Sequence, residues 1–221
     1  VNRLAHSHAA SRSLHKNIIA YNGRRSDALE EYRVIRSNIQ FLDNERGARS
    51  LVVTAPESGA GSTTTAVNLA ISMTLRGDRV LLIDANLRKP VLHNILRVSN
   101  HSGLTTVLAG RVDLDKAIQQ TGIGGLQVLT CGPVHPYMDE LLGSAEMDIL
   151  LTEAKQRYDS VLLDCPAVLS ATDTALLANR ADSVILVIEG GKTSKDAAVK
   201  AQRMLARANA ELLGVVLNHK K

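Results

Sequence analysis

The stretch Leu51-Val52-Val53-Thr54-Ala55-Pro56-Glu57-Ser58-Gly59-Ala60-Gly61-Ser62-Thr63-Thr64-Thr65-Ala66-Val67-Asn68-Leu69-Ala70 carries an apolar run into a glycine-rich turn and out into a helical pattern. Its opening residues show no polar alternation, which is the mark of a strand buried on both faces. The same kind of run recurs at Val80–Asp84, Leu126–Thr130, Ser160–Asp164, Ser183–Ile188 and Leu213–Leu217, with helical stretches between. Strands alternating with helices require right-handed crossovers, and these build a parallel sheet covered on both faces. The expected fold class is α/β, one three-layer domain around a mostly parallel central sheet.

Composition agrees. The 221 residues are 45% hydrophobic and 22% charged, as in a globular chain. Aromatic residues make up 2%, with no Trp, so the core must be aliphatic, and neither stacking platforms for single-stranded nucleic acid nor aromatic ligand cages are expected. Net charge is +4, a mild bias toward anionic neighbours; nucleic acid has only that charge in its favour and is not expected as a partner. Cys131 and Cys165 have no metal-binding spacing and read as reduced, buried thiols. No apolar run is long enough to cross a bilayer and no signal peptide is visible, so if the chain works at a membrane something else must hold it there.

Residues 1–25 are polar and basic, with His6, His8 and His15, and read as a flexible arm or linker. Residues 26–221 form the single domain. It opens on a helix over Ser26–Phe41, with Ser26 as cap and Leu29, Val34, Ile35 and Ile39 as the apolar stripe.

In such a sheet ligands sit beyond the carboxyl ends of the strands, which points to the loop after Ala55 and to Asp84, Asp164 and Asn218. A glycine-rich turn opening a helix converges backbone N–H groups on a phosphate. Gly59, Ala60, Gly61, Ser62, Thr63 and Thr64 would supply them, and the Thr hydroxyls, Thr63 foremost, suit Mg²⁺. The spacing matches a P-loop except that Ser62 stands at the lysine position. An aspartate ending a buried apolar strand is expensive unless a cation satisfies it. Mg²⁺ bridging to nucleotide phosphates would do so for Asp84 and Asp164; the competing reading makes each a helix cap or turn former.

These residues resemble a known family. Glu30-Glu-Tyr-Arg33-Val-Ile-Arg36, the glycine-rich loop, Leu81-Leu-Ile-Asp84-Ala-Asn86-Leu-Arg88 and Val161-Leu-Leu-Asp164-Cys-Pro166-Ala167 are similar to motifs of the bacterial tyrosine kinases, or BY-kinases, of capsule and exopolysaccharide synthesis. The resemblance spans Ser26 to Asn218. It implies a P-loop NTPase-like domain that uses ATP/ADP and Mg²⁺, assembles into a homo-oligomeric ring and answers to a transmembrane polysaccharide co-polymerase or activator. That places it in the cytoplasm, against the inner face of the bacterial membrane. It further implies Asp84 and Asp164 as catalytic and metal-holding carboxylates, Arg88 as a phosphate contact, Asn218 at the adenine edge, and Glu30, Arg33 and Arg36 in the subunit contact. For Asn218 a strand-ending turn role stays equally open; for the helix triad, a solvated set of ion pairs.

The departures fall on the reaction path. Ser62 removes the cation that bridges β- and γ-phosphates, and Asn86 replaces a carboxylate that would help activate a tyrosine hydroxyl. Tyr21, Tyr32, Tyr137 and Tyr158 are isolated rather than clustered as a phosphorylation tail. Lys89 and Lys192 are candidate replacement cations, with a solvated role the commoner alternative. Three functions follow in order: a catalytically impaired, pseudokinase-like module that binds nucleotide weakly; an active tyrosine autokinase with a displaced lysine or altered site; and a partitioning-type P-loop ATPase, whose two loop lysines are both missing here.

Overall fold

The computed structural model describes residues 17–21, 27–43, 49–134 and 138–219. A single turn of 3₁₀ helix (Ile19–Tyr21) leads to α1 (Asp27–Asp43) and then β1 (Ser50–Thr54), α2 (Ser62–Thr74) and β2 (Val80–Asp84). Three short helices follow, α3 (Leu92–Leu96), α4 (Leu104–Leu108) and α5 (Leu114–Ala117), with β3 (Gln119–Gln120) and β4 (Leu126–Leu129) after them. Beyond a 3₁₀ segment (Met138–Gly143), the chain closes with α6 (Ala145–Arg157), β5 (Ser160–Asp164), α7 (Thr172–Arg180), β6 (Ser183–Glu189), α8 (Lys195–Arg207) and β7 (Leu212–Asn218).

The strands form one seven-stranded sheet in the order β3-β4-β2-β5-β1-β6-β7. Every pairing is parallel except β3 with β4. The two-residue β3 carries no sequence signature, because it exists only through its pairing to β4. Alternate side chains of the central strands enter two separate cores. Val52, Leu81, Leu163 and Leu186 pack with α6, α7 and α8 through Leu150, Leu177 and Leu205. Val53, Leu82, Leu162 and Val187 pack with α1 and α2 through Leu29, Ile39, Val67 and Leu69. That is the three-layer sandwich expected, with aliphatic residues filling both layers.

Two expectations are corrected at the sheet's edge. β7 is not buried on both faces: it is the edge strand among the described residues, and Val215 and Leu217 are exposed because α1 leaves a groove over them rather than packing closely. Val34 of α1, read as part of the buried stripe, faces outward, and with Leu42, Val215 and Leu217 it lines a groove of about 610 Å³ between α1 and β7.

A third correction concerns the arm. Residues 17–21, its described portion, dock on the domain: Ile18 and Ile19 are buried. The buried Asn68 of α2 holds them, its Oδ1 accepting from the Ile19 N–H at 3.0 Å and its Nδ2 donating to the Asn17 carbonyl at 2.9 Å. Ser26 and the histidines at 6, 8 and 15 lie outside the described residues.

Opposite the site, Asp182 ties the start of β1 to the start of β6. Its carboxylate accepts from the N–H groups of Arg49 and Ser50, the Ser50 hydroxyl and the Lys155 ammonium, at 2.8–3.0 Å. Burial alone would raise its pKa, but these donors outweigh it and hold the group below the usual carboxylate range. A depressed folded-state pKa gives stability that is complete above the unfolded value near 4 and disappears as pH falls through the folded one. Asp182→Ala is expected to cost about 1.5–3 kcal/mol near neutral pH. In urea unfolding, the gap between native and variant should close in strong acid; a gap independent of pH would show that the charge is irrelevant.

Candidate functional site

The loop between β1 and α2 leaves the sheet at its carboxyl edge and passes twice through left-handed backbone, at Gly59 (φ 97°) and Gly61 (φ 92°). An L side chain is strained at either position; at Gly61 a Cβ would also stand 2.2 Å from Nδ2 of Asn218. Ser62, Thr63 and Thr64 open α2, so their N–H groups have no acceptor within the helix and sit at the positive end of its dipole. The result is a turn built to receive an anion.

Asp84 and Asp164 end adjacent strands in register, and both are fully buried. They are not equivalent. Asp84 accepts three backbone N–H groups, from Asn86 at 3.3 Å, Val91 at 3.1 Å and Leu92 at 3.0 Å. It therefore closes the turn after β2 and caps the entry to α3, the alternative the sequence left open. Asp164 receives only the Thr63 hydroxyl on Oδ1, at 3.1 Å; its Oδ2 is buried without a partner. Burial pushes Asp84 up to about 7 against the pull of its three backbone donors. It pushes Asp164 well above the carboxylate range, with the Asp84 charge adding to the rise and Thr63 opposing it.

An orphaned buried carboxylate oxygen beside a threonine hydroxyl is a hard-oxygen donor set. It fits Mg²⁺, which takes one or two protein oxygens and completes its shell with water and phosphate. Among the described residues no cluster of three His, Cys, Asp or Glu could hold a metal unaided, and such a site does not need one. Thr63 and Asp164 are the fitting ligands; Asp84 is mainly occupied by the backbone.

The remaining candidates are distributed differently from the sequence reading. The Asn86 side chain accepts the Lys89 N–H at 3.1 Å and so closes a turn. Arg88 reaches Asp173, its Nε 3.4 Å from Oδ2, rather than the loop. Lys192 pairs with Glu189 at 2.6 Å, and Lys89 is exposed with no ion-pair partner among the described residues. Asn218 donates from Nδ2 to the Ala60 carbonyl at 2.9 Å. Arg33 and Glu30 form an exposed pair within α1, while Arg36 turns inward and donates to the Ser72 carbonyl of α2. Cys131 and Cys165 are free and buried, as expected.

Sequence reading missed Asp173, Thr54 and Thr174. The two threonine hydroxyls converge on the Pro166 carbonyl, at 2.6 and 2.8 Å, and fix the loop that follows Asp164. The sequence signal was only a buried-strand end and a helix start, neither of which names a partner.

Sheet order, loop and paired strand-end aspartates together define a P-loop α/β domain. Comparison narrows this further. Residues 48–212 match the AAA domain family. The tyrosine-protein kinase YwqD of Bacillus subtilis is 42% identical over 94% of this chain and 88% of its own length. The crystal structure of the chimerical protein CapA2B2 superposes with a TM-score of 0.88 at 33% identity, covering 93% of this chain and 90% of that one. The kinase domain of the Escherichia coli tyrosine kinase ETK gives 0.84 at 34%, covering 86% and 75%. The chain belongs to the bacterial tyrosine-protein kinase family.

If Asp164 is the carboxylate that awaits a cation, Asp164→Asn removes one of two facing buried acids and its need for one. The variant is expected to melt at or above the native temperature without Mg²⁺, and to lose the stabilisation Mg²⁺-ADP gives the native protein. Thermal scans with and without Mg²⁺-ADP read both effects; undiminished Mg²⁺-ADP stabilisation would exclude Asp164 as a ligand.

Proposed function

We propose that this chain binds ATP or ADP with Mg²⁺ weakly, transfers phosphoryl groups poorly, and serves capsule or exopolysaccharide synthesis and export through nucleotide-dependent assembly. What carries the reading is the state of the cations. Ser62 leaves the loop with neutral donors only; of the candidate cations Arg88 contacts Asp173 and Lys192 pairs with Glu189, and Lys89, exposed and without an ion-pair partner among the described residues, follows β2 rather than the loop. The loop's N–H groups would bind and orient the phosphates. Thr63 and Asp164 would hold Mg²⁺, which would supply neutralisation of phosphate charge. No carboxylate stands at position 86 to accept a tyrosine proton. Of the tyrosines whose side chains are described, Tyr158 is buried, with its hydroxyl on Gln127, and Tyr32 is half-buried against the core.

A second reading keeps an active autokinase, and one observation favours it. The Arg88–Asp173 contact is long at 3.4 Å and Arg88 is 54% exposed, so this guanidinium is free to exchange Asp173 for a phosphate. Ser62→Lys separates the two. Restoring the lysine's charge-assisted bonds, worth about 1.5–3 kcal/mol each, should tighten ATP binding roughly tenfold to a hundredfold. With Asn86→Asp added, ATP hydrolysis or phosphorylation of an appended tyrosine-rich tail should appear, because clamping and activation act as a unit. Native protein that already turns over ATP as fast as the double variant would support the displaced-cation reading instead.

Assembly is the other half of the proposal. The family resemblance supports a head-to-tail ring in which α1 docks beside a neighbour's nucleotide site, and a transmembrane activator chain that would hold the protein against the inner membrane face. Among the described residues no helix is long and apolar enough to cross a membrane. Glu30 and Arg33 remain on the surface for such a contact; Arg36 secures α1 to α2 within the chain. Arg33→Glu should therefore reduce the assembly to folded monomers, whereas reversal at Arg36 would unseat the helix itself. Light scattering over a concentration series tests this, and a native protein that stays monomeric throughout, with and without nucleotide, removes the assembly role.

A further inference from the structure

We propose that Asn218 is a positioning residue that latches the phosphate loop, holding the Ala60–Gly61 peptide so that its N–H can face an anion. The inference rests on the nucleotide-binding reading and assigns Asn218 a role different from contact with the base.

Among the described residues the Asn218 side chain makes one hydrogen bond, to the Ala60 carbonyl. Asn218 ends β7, where it pairs with Glu189 and its carbonyl accepts the Gly190 N–H at 2.8 Å, so its backbone is held by the sheet. From this anchored point Nδ2 reaches the Ala60 carbonyl at 2.9 Å, across a sequence separation of 158 residues. A backbone carbonyl only accepts, so the amide nitrogen rather than the amide oxygen must face it.

The carbonyl that Asn218 grips belongs to the same peptide unit as the Gly61 N–H. Across a trans peptide these two groups point in opposite directions, and the described chain contains no cis bond. Holding the carbonyl toward β7 therefore aims the Gly61 N–H away from β7. A flip of this peptide would exchange donor for acceptor and present a carbonyl dipole to an incoming phosphate.

Such a flip is easy in this loop. Glycine stands on either side of Ala60, both in left-handed backbone that glycine leaves as readily as it enters. The far end of the turn is secured by the Thr65 N–H on the Gly61 carbonyl at 2.9 Å, which does nothing for the preceding peptide. Glycine at 61 is also what admits the latch, because a Cβ there would collide with Nδ2. With no lysine at position 62, phosphate affinity depends on how the N–H groups point, and this latch is what fixes one of them.

Inorganic pyrophosphate separates a loop latch from a base contact, since it has phosphates and no base. Calorimetric titration of Mg²⁺-ADP and Mg²⁺-pyrophosphate would be run on the native protein and on Asn218→Ala and Asn218→Leu, the second filling the volume without a donor. Both variants should lose affinity for both ligands by the same factor, about tenfold for one oriented hydrogen bond. Weakened ADP with unchanged pyrophosphate would overturn the latch in favour of a base contact. Unchanged binding of both, with only a lower melting temperature, would reduce Asn218 to a strand end. Native protein that binds neither ligand would sink the nucleotide reading, and this inference with it. Should the variants not fold, the native protein decides: the Gly61 amide proton should move downfield in ¹⁵N NMR on adding Mg²⁺-pyrophosphate, and an unmoved resonance refutes the latch.

Discussion

Two carboxylates are buried side by side at the ends of β2 and β5, and the site is organised by how each is satisfied. A buried charge without partners is costly enough that folded chains neutralise, pair or ligate it. Asp84 is satisfied locally, by three N–H groups from the turn that follows it. Asp164 has one threonine hydroxyl and an empty oxygen. The asymmetry makes one member of the pair scaffold and leaves the other with a buried oxygen that has no hydrogen-bond partner, the state a cation would relieve. Because Thr63 belongs to the first turn of α2, that cation would lie where the phosphate loop ends.

α2 is the element through which the rest of the molecule reaches this point. Its residues from Thr65 to Thr74 are all buried, since it packs against the sheet while α1 and the arm pack over it. Asn68 binds the arm and the Ser72 carbonyl receives Arg36, so the helix whose first turn carries the loop's free N–H groups is held from outside by three hydrogen bonds. This arrangement takes Arg36 out of the surface on which the motif in α1 had placed it. It leaves Glu30 and Arg33 as an exposed ion pair on that helix, while Val34 and Leu42 of the same helix line a groove shared with the edge strand β7.

Loss of the loop lysine changes what the remaining groups must do. With a cation at position 62, phosphate binding tolerates some disorder in the backbone, because a point charge is attractive from most directions. Without it, affinity resides in N–H dipoles, whose contribution depends on orientation. Gly59 and Gly61 allow the tight turn but also allow it to relax. An edge strand that ends in a side-chain donor supplies the constraint the loop lacks.

What the sequence determined by itself was everything that depends on neighbours along the chain. Unalternated apolar runs point to strands covered on both sides, and β1, β2, β4, β5 and β6 were legible on that ground to within a residue or two, whereas the same pattern misled at β7. The glycine-rich strand-to-helix turn announced an anion site because its donors are consecutive in the chain. Edge and pairing were not legible: β3 has no pattern of its own, and nothing in Leu213–Leu217 marks it as the edge strand it is among the described residues. Partners were not legible either. Arg88 meets Asp173, Arg36 meets Ser72 and Asn218 meets Ala60 across separations of 85, 36 and 158 residues. Only the tertiary structure decides such pairs, because a long polar side chain bonds whatever the strand order and helix packing bring within about 3 Å of it.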